Sequence, residues 1–191
     1  IDVSEQYLVA GVEHILVGYD HLLFILCLMI IASSFKRLLL TVTGFTVAHS
    51  ITLSLASLNI IRVRTELVEL LIALSILLLA VEIIKHYQVK NYDSFTWRYP
   101  ITASSAFGLL HGFGFAVVLQ ELGLPQSMKI HALLFFNIGV EIGQIMFITG
   151  MAILGYFVSK FLLKISVNRE IFFQFAVYLI GISSALSLIH I

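Results

Sequence analysis

His14, Asp20 and His21 are ligand-capable side chains inside a stretch, Tyr7 to Ile31, that is otherwise apolar. An ionisable group at the centre of a bilayer costs about 2.5–3.5 kcal/mol on insertion scales, so such groups face a bundle interior or a water-filled path and mark transport, proton relay or catalysis. Seven residues of ideal helix advance about 10.5 Å and return to within about 20° of the start. His14 and His21 therefore share a face two turns apart and are not an i, i+4 chelating pair. Gly11 and Gly18 lie on the same stripe, where glycine lets a helix kink or lets a second helix come close. A break near Gly18 would bring the two imidazoles together. Asp20 points about 240° away from His14, a place from which a carboxylate holds the tautomer of a ligating ring or faces a different helix.

Four further apolar stretches carry polar groups. Thr46, His49 and Ser50 form one polar face, and Glu69 and Ser75 belong to the next stretch. His111 stands among Gly108, Gly112 and Gly114, while Asn137, Glu141 and Gln144 make a stripe flanked by Gly139 and Gly143. Neutral imidazole with carboxylate suits zinc, nickel, copper or iron, and the lack of thiolates argues against Cu(I) and iron–sulfur sites. The candidate metal set is His14, Asp20, His21, His49, His111 and Glu141, supported by Thr46, Ser50, Glu69, Asn137 and Gln144. The competing reading is a hydrogen-bond network that glues the helices, at an average of about 0.6 kcal/mol per pair. For Thr46, Ser50 and Ser75 that reading is favoured. Glu66, Glu82, His86, His131 and His190 lie near the ends of apolar stretches, where water is expected to solvate them.

The elements that must position these groups follow from composition. Hydrophobic residues make up 60% of the chain and charged residues 12%, with a mean hydropathy of +1.04, against about a quarter charged in soluble domains. An integral membrane protein is implied. Net charge is zero and no basic run exceeds Lys36-Arg37, so nucleic acid is not an expected partner. Cys27, the single cysteine, excludes an internal disulfide and reads as a small apolar filler.

Apolar stretches of roughly 20 residues, enough to cross about 30 Å of hydrocarbon, recur at about 6–32, 38–59, 67–86, 100–120, 130–158 and 170–190. The expected fold is all-α: a polytopic bundle of six membrane-spanning helices forming a single domain over 1–191. Long unbroken apolar runs fit helices, not the short alternating strands of a membrane barrel. Breaks one, three and five hold Lys36, Arg37, Lys85, Lys90, Arg98, Lys160, Lys164 and Arg169, whereas breaks two and four hold Arg62, Arg64 and Lys129. By the excess of Lys and Arg on cytoplasmic loops, both termini are expected outside. Gly11 to His14 echoes Gly108 to His111, and Glu141 is a loose counterpart of His49, a pattern compatible with a 3+3 inverted repeat that binds its substrate near the midplane. The chain opens on Ile1-Asp2 without Met or a basic leader, so a fragment or processed product is expected.

Segments His14 to Phe24, Phe45 to Ser50, Phe107 to Gly114 and Phe136 to Glu141 together resemble the HupE/UreJ family over nearly the whole chain. That resemblance implies a polytopic bacterial inner-membrane protein of a class proposed to be nickel or cobalt permeases, with His14, Asp20 and His21 as the metal-handling trio. Ile15 stands where the nickel-associated branch has a proline. The chain is more similar to a second branch, which carries no assigned function and usually has an extra N-terminal extracytoplasmic domain. The expected function is passage of a divalent ion of the nickel, cobalt or zinc class; metal ion and bilayer are the expected partners, and a homo-oligomer is compatible. The alternative is a membrane-embedded hydrolase or peptidase in which histidines hold zinc and Glu141 or Asp20 serves as general base. No H-E-x-x-H and no G-x-S-x-G is present, so the commonest signatures of that chemistry are missing.

Overall fold

A computed structural model of the chain describes residues 2–89, 92–115, 128–164 and 177–186. The described residues are helical, with no strand among them. The elements are α1 (Val3–Val17), α2 (Tyr19–Ile31), α3 (Phe35–Ser57), α4 (Thr65–Gln88), α5 (Phe95–Arg98), α6 (Pro100–Gly114), α7 (Lys129–Lys164) and α8 (Val177–Leu186). By length and composition α3, α4 and the Lys129–Phe161 part of α7 can each cross a membrane, and the bent pair α1–α2 makes a fourth candidate. Most of the break expected between the stretches 100–120 and 130–158, together with Lys90, Arg169 and His190, lies outside the described residues.

Local sequence sets where these helices start and stop. The Ser34 hydroxyl accepts the Arg37 N–H at 3.2 Å and caps α3, satisfying one of the free donors of the first turn. At its other end Asn59 adopts φ 59°, and the bonds from Ile60 N–H to the Leu55 carbonyl and from Asn59 N–H to the Ala56 carbonyl, both 2.9 Å, close α3 in the manner of a left-handed C-terminal cap. Pro100 opens α6, where its missing N–H has no helical partner to lose.

The first apolar stretch is not one straight helix. α1 and α2 meet at 71°, and Gly18 forms the corner with φ −74° and ψ 97°. A Cβ there would stand 2.7 Å from the His14 carbonyl oxygen and 2.9 Å from His21 Nδ1, so the corner closes only around a residue with no side chain.

Two tight helix pairs build the bundle. In one, α1 lies along α7 with Gly11 against the backbone of Phe136 and Val140, and Gly143 against Val12 and Ile15. The other sets α6 along α3, with the Ser104 hydroxyl donating to the Thr41 carbonyl at 2.9 Å, Gly108 against Phe45, and Gly112 against His49 and Thr52. Contact positions rise together in both pairs, so each pair is parallel. Close backbone approach through small residues is what drives association where lipid is as apolar as the side chains. Between the pairs, Phe24, Ile25 and Leu28 of α2 join Ile72, Ile76 and Leu79 of α4 in the buried core, and Cys27 is buried among them as an apolar filler.

Candidate metal centre

The corner at Gly18 carries out what the histidine spacing needs. It folds His21 back onto His14, leaving their ring centres 4.4 Å apart where a straight helix would hold them about 10.5 Å apart along its axis. α6 brings His111 to 5.2 Å from His21, and α3 brings His49 to 5.8 Å from His14 and 6.0 Å from His21. Four imidazoles from four helices thus share one place. His21, His49 and His111 are buried and His14 is partly buried.

Ring-centre separation is the useful measure here, because turning an imidazole about its Cβ–Cγ bond moves its nitrogens while its centre stays nearly fixed. With metal–nitrogen bonds of about 2.0–2.1 Å and about 1.1 Å from nitrogen to ring centre, two rings on one ion stand about 4.5 Å apart at a right angle, about 5.2 Å at the tetrahedral angle and about 6.4 Å when opposed. The four observed separations fall at or inside that window. As the rings are turned, no three His, Cys, Asp or Glu side chains among the described residues are placed to hold one metal ion.

His14 Nε2, His21 Nε2, His111 Nδ1 and both ring nitrogens of His49 are buried and have no hydrogen-bond partner. His111 Nε2 has only a long contact of 3.5 Å to the Ser75 hydroxyl, which donates at 2.6 Å to the Ile72 carbonyl. Leaving a buried polar atom unpaired costs about 1–3 kcal/mol. Five such atoms together amount to a cost on the scale of a domain's whole net stability, about 5–15 kcal/mol, unless water or another polar species meets them.

A cavity of about 300 Å³ adjoins the rings, lined by His14, Asp20, His21, Glu69 and His111 together with Val17, Gly18, Ile72, Gly114 and Phe115. Asp20 is half-buried and Glu69 exposed, which places two carboxylates toward the open part of a space whose inner wall is imidazole. Phe115, which the sequence reading missed, packs on His14 with ring centres 3.8 Å apart and stacks on Phe136 at 5.2 Å. Only its position four residues after His111 could have pointed to it.

The remaining expected residues belong elsewhere. Glu141, counted in the candidate metal set with His49 and His111, is half-buried where α3 meets α7 and accepts the Thr43 hydroxyl at 2.6 Å; the face of α7 toward α1 uses Phe136, Val140 and Gly143 instead. The Thr46 hydroxyl contacts Gln144 Oε1 at 2.7 Å, and Ser50 and Asn137 line a second cavity of about 380 Å³ in the same seam. Near the helix ends, His86 is not simply solvated: it stacks on Trp97 at 3.7 Å and 10°. Glu82 is half-buried and accepts the Ser94 hydroxyl at 2.6 Å, and His131 pairs with Ser4 at 2.9 Å.

A family model described as HupE / UreJ protein matches residues 1–190. No curated protein and no solved structure matches the chain.

Proposed function

The chain belongs to the HupE/UreJ family, and from that membership together with the histidine cluster we propose that it is a membrane permease for a divalent transition-metal ion of the nickel, cobalt or zinc class. The observation that carries this reading is the set of five buried, unpartnered ring nitrogens on His14, His21, His49 and His111. Their lone pairs replace hydration water on the passing ion. Asp20 and Glu69 supply the negative charge that four neutral rings lack, at the side of the cavity from which a hydrated ion arrives. Asp20 in addition adjoins His21 in sequence and holds that ring's neighbourhood polar.

Helix polarity supports a cation in the same cavity. Val17 and Gly114 are the last residues of α1 and α6, and both line it. Each helix end carries roughly half a negative charge from its unpaired carbonyls, and broken transporter helices use such ends to hold cations near the midplane.

The architecture proposed is a single domain of six spans arranged as a 3+3 inverted repeat, set in the bacterial inner membrane with both termini outside. α1 and α6 are both 15 residues long, and a shift of 97 residues superposes their ends, Gly11 on Gly108 and His14 on His111. A shift of 91 aligns Phe45-Thr46-Val47-Ala48 of α3 with Phe136-Asn137-Ile138-Gly139 of α7. The packing supports the same correspondence: Gly108 rests on Phe45, and Gly11 rests on Phe136. In this register Ser50, not His49, is the counterpart of Glu141.

The test is metal binding by the purified full chain, followed by Ni(II), Co(II) and Zn(II) uptake into proteoliposomes. Weak, exchangeable binding with uptake that His111→Ala abolishes is the expected result. Stoichiometric zinc that survives purification, with no uptake, would replace this reading by the zinc hydrolase, for which Asp20 and Glu69 are the carboxylates the cavity offers as a base.

A further inference from the structure

Away from the four-histidine cluster, ligand-capable side chains meet again near the C-terminal end of α4. Glu82 and His86 stand one turn apart on one face of that helix, which sets their Cβ atoms about 5–6 Å from each other, and both are half-buried. α5 lies against them. The Ser94 hydroxyl donates to Glu82 Oε1 at 2.6 Å, and the Trp97 ring stacks on His86 with centres 3.7 Å apart at 10°. Even so, Glu82 Oε2, His86 Nδ1 and Trp97 Nε1 are buried without a hydrogen-bond partner. Buried polar atoms are normally paired, and each exception calls for a reason. The indole N–H is a donor only, but the carboxylate oxygen and an imidazole nitrogen without its proton both offer lone pairs. They do not bond to each other, although the shared face leaves them close enough for one ion to meet both.

Helix order gives the pair its place. Ser75, Leu79, Glu82 and His86 follow at steps of four, three and four residues, a single stripe on α4. Ser75 is the residue through which α4 meets His111, at 3.5 Å, and Glu69, six residues earlier, lines the first cavity. Beyond Ser75, Glu82 lies about 10.5 Å and His86 about 16.5 Å farther along the axis. α4 thus carries, in order, a carboxylate at the cavity, the contact with the cluster, and a carboxylate–imidazole pair near its end. The carbonyls of that last turn add partial negative charge, which favours a cation. Among the described residues no cation pairs with Glu82: Arg98 pairs with Asp93 at 4.0 Å, and Arg37 donates to the Trp97 and Arg98 carbonyls at 3.0 and 2.9 Å.

We propose that Glu82 and His86 form a second divalent-metal site, in which an ion is held by one carboxylate oxygen and one imidazole nitrogen while water completes its shell. Imidazole with carboxylate is a donor set that nickel and zinc accept. Two protein ligands hold an ion loosely, as a site that an ion passes through requires. Ser94 and Trp97 are positioning residues, one fixing the carboxylate and the other the plane of the ring. That the site is a waiting place for the ion on its way to or from the histidine cluster rests on the permease reading, whereas binding of metal there does not.

Trp97 is the chain's single tryptophan, so its fluorescence reports on this place, and the open-shell ion Ni(II) quenches an indole at short range. The test titrates the full chain in detergent with Ni(II). Saturable quenching is expected in the wild type and in His111→Ala. In His86→Ala and Glu82→Gln the half-quenching concentration should rise by at least the roughly 10-fold that losing even a supporting partner of a ligand costs. Glu82→Gln keeps an oxygen for Ser94 and leaves the ring stack untouched, so it separates loss of a ligand from loss of packing. No saturable quenching in the wild type, quenching at an unchanged concentration in Glu82→Gln, or quenching that His111→Ala abolishes overturns the site. In proteoliposomes Glu82→Gln should slow Ni(II) uptake several-fold while calorimetry on the same variant still shows Ni(II) bound at the histidines. Uptake at the wild-type rate overturns the waiting-place role. A wild-type chain that moves no Ni(II) overturns the permease reading, and the quenching still decides the site.

Discussion

His14 and His111 occupy the same position in two helices of equal length: each stands three residues before the last residue of a 15-residue helix, and both rings line one cavity. The two helices reach that cavity from different pairs, α1 lying along α7 and α6 along α3. A ligand placed there meets two imidazoles and two helix C-termini at once.

Removing a ring should weaken metal binding in proportion to how tightly that ring is gathered into the cluster. His14→Ala, His21→Ala and His111→Ala should each lower affinity at least as much as the roughly 10- to 100-fold typical of losing a supporting carboxylate. His49→Ala should cost less, because its ring stands 5.8 and 6.0 Å from His14 and His21. Calorimetric titration with Ni(II) and Zn(II) on folded, detergent-stable variants measures this, with His131→Ala at the exposed start of α7 as the control. Equal affinities throughout would leave the cluster a hydrogen-bond network.

Asp20→Asn removes charge while nearly keeping shape. It should lower affinity about 10- to 100-fold, and the loss should shrink as salt is raised, since a charge at the open side of the cavity is screened within about 8–10 Å at ordinary ionic strength. A salt-independent loss would place Asp20 on the ion itself.

Gly18→Ala adds one methyl group at the corner, 2.9 Å from His21 Nδ1 and 2.7 Å from the His14 carbonyl oxygen. The corner must open, so metal binding should be lost while helix content by circular dichroism stays unchanged. Gly150→Ala, where an added Cβ meets nothing within 4 Å, should bind as the wild type does.

Gly112→Ala drives a Cβ into the His49 carbonyl and the Thr52 hydroxyl. Overpacking of this kind costs about 1–3 kcal/mol, to be read as a lowered unfolding midpoint in detergent. Gly155→Ala, which meets nothing, should leave the midpoint in place. The α3–α6 seam would be shown to be loose if both variants melt alike.

Thr46 and Gln144 should couple by about 0.6 kcal/mol, the average for membrane hydrogen-bonded pairs. A double-mutant cycle with Thr46→Val and Gln144→Leu isolates that value. Coupling several times larger would mean that the pair does more than hold α3 to α7.

Orientation can be read by labelling, since the one native cysteine is buried. Val63→Cys should react with an impermeant maleimide added outside, and Ser33→Cys only after the membrane is opened. The reverse pattern would invert the assignment drawn from the Lys and Arg distribution.

Much of the helical scaffold was legible in the chain, because in hydrocarbon every backbone N–H and C=O must find a partner within its own segment, and long apolar runs therefore have one main solution. The pairing of His14 with His21 was legible as well: their spacing gives a shared face, and Gly18 marks the place where the helix could turn. Helix phase also put Asn137, Glu141 and Gln144 on one side of α7. What phase cannot say is which neighbour that side meets. In a soluble protein the apolar face is the inner face, but here lipid is as apolar as the core, so hydrophobic periodicity does not separate inside from outside. Only close packing through Gly11 on α7 and through Gly108 and Gly112 on α3 decided that His49 and His111 join the first two histidines. The same packing turned Glu141 to Thr43, away from the rings that the sequence had offered it.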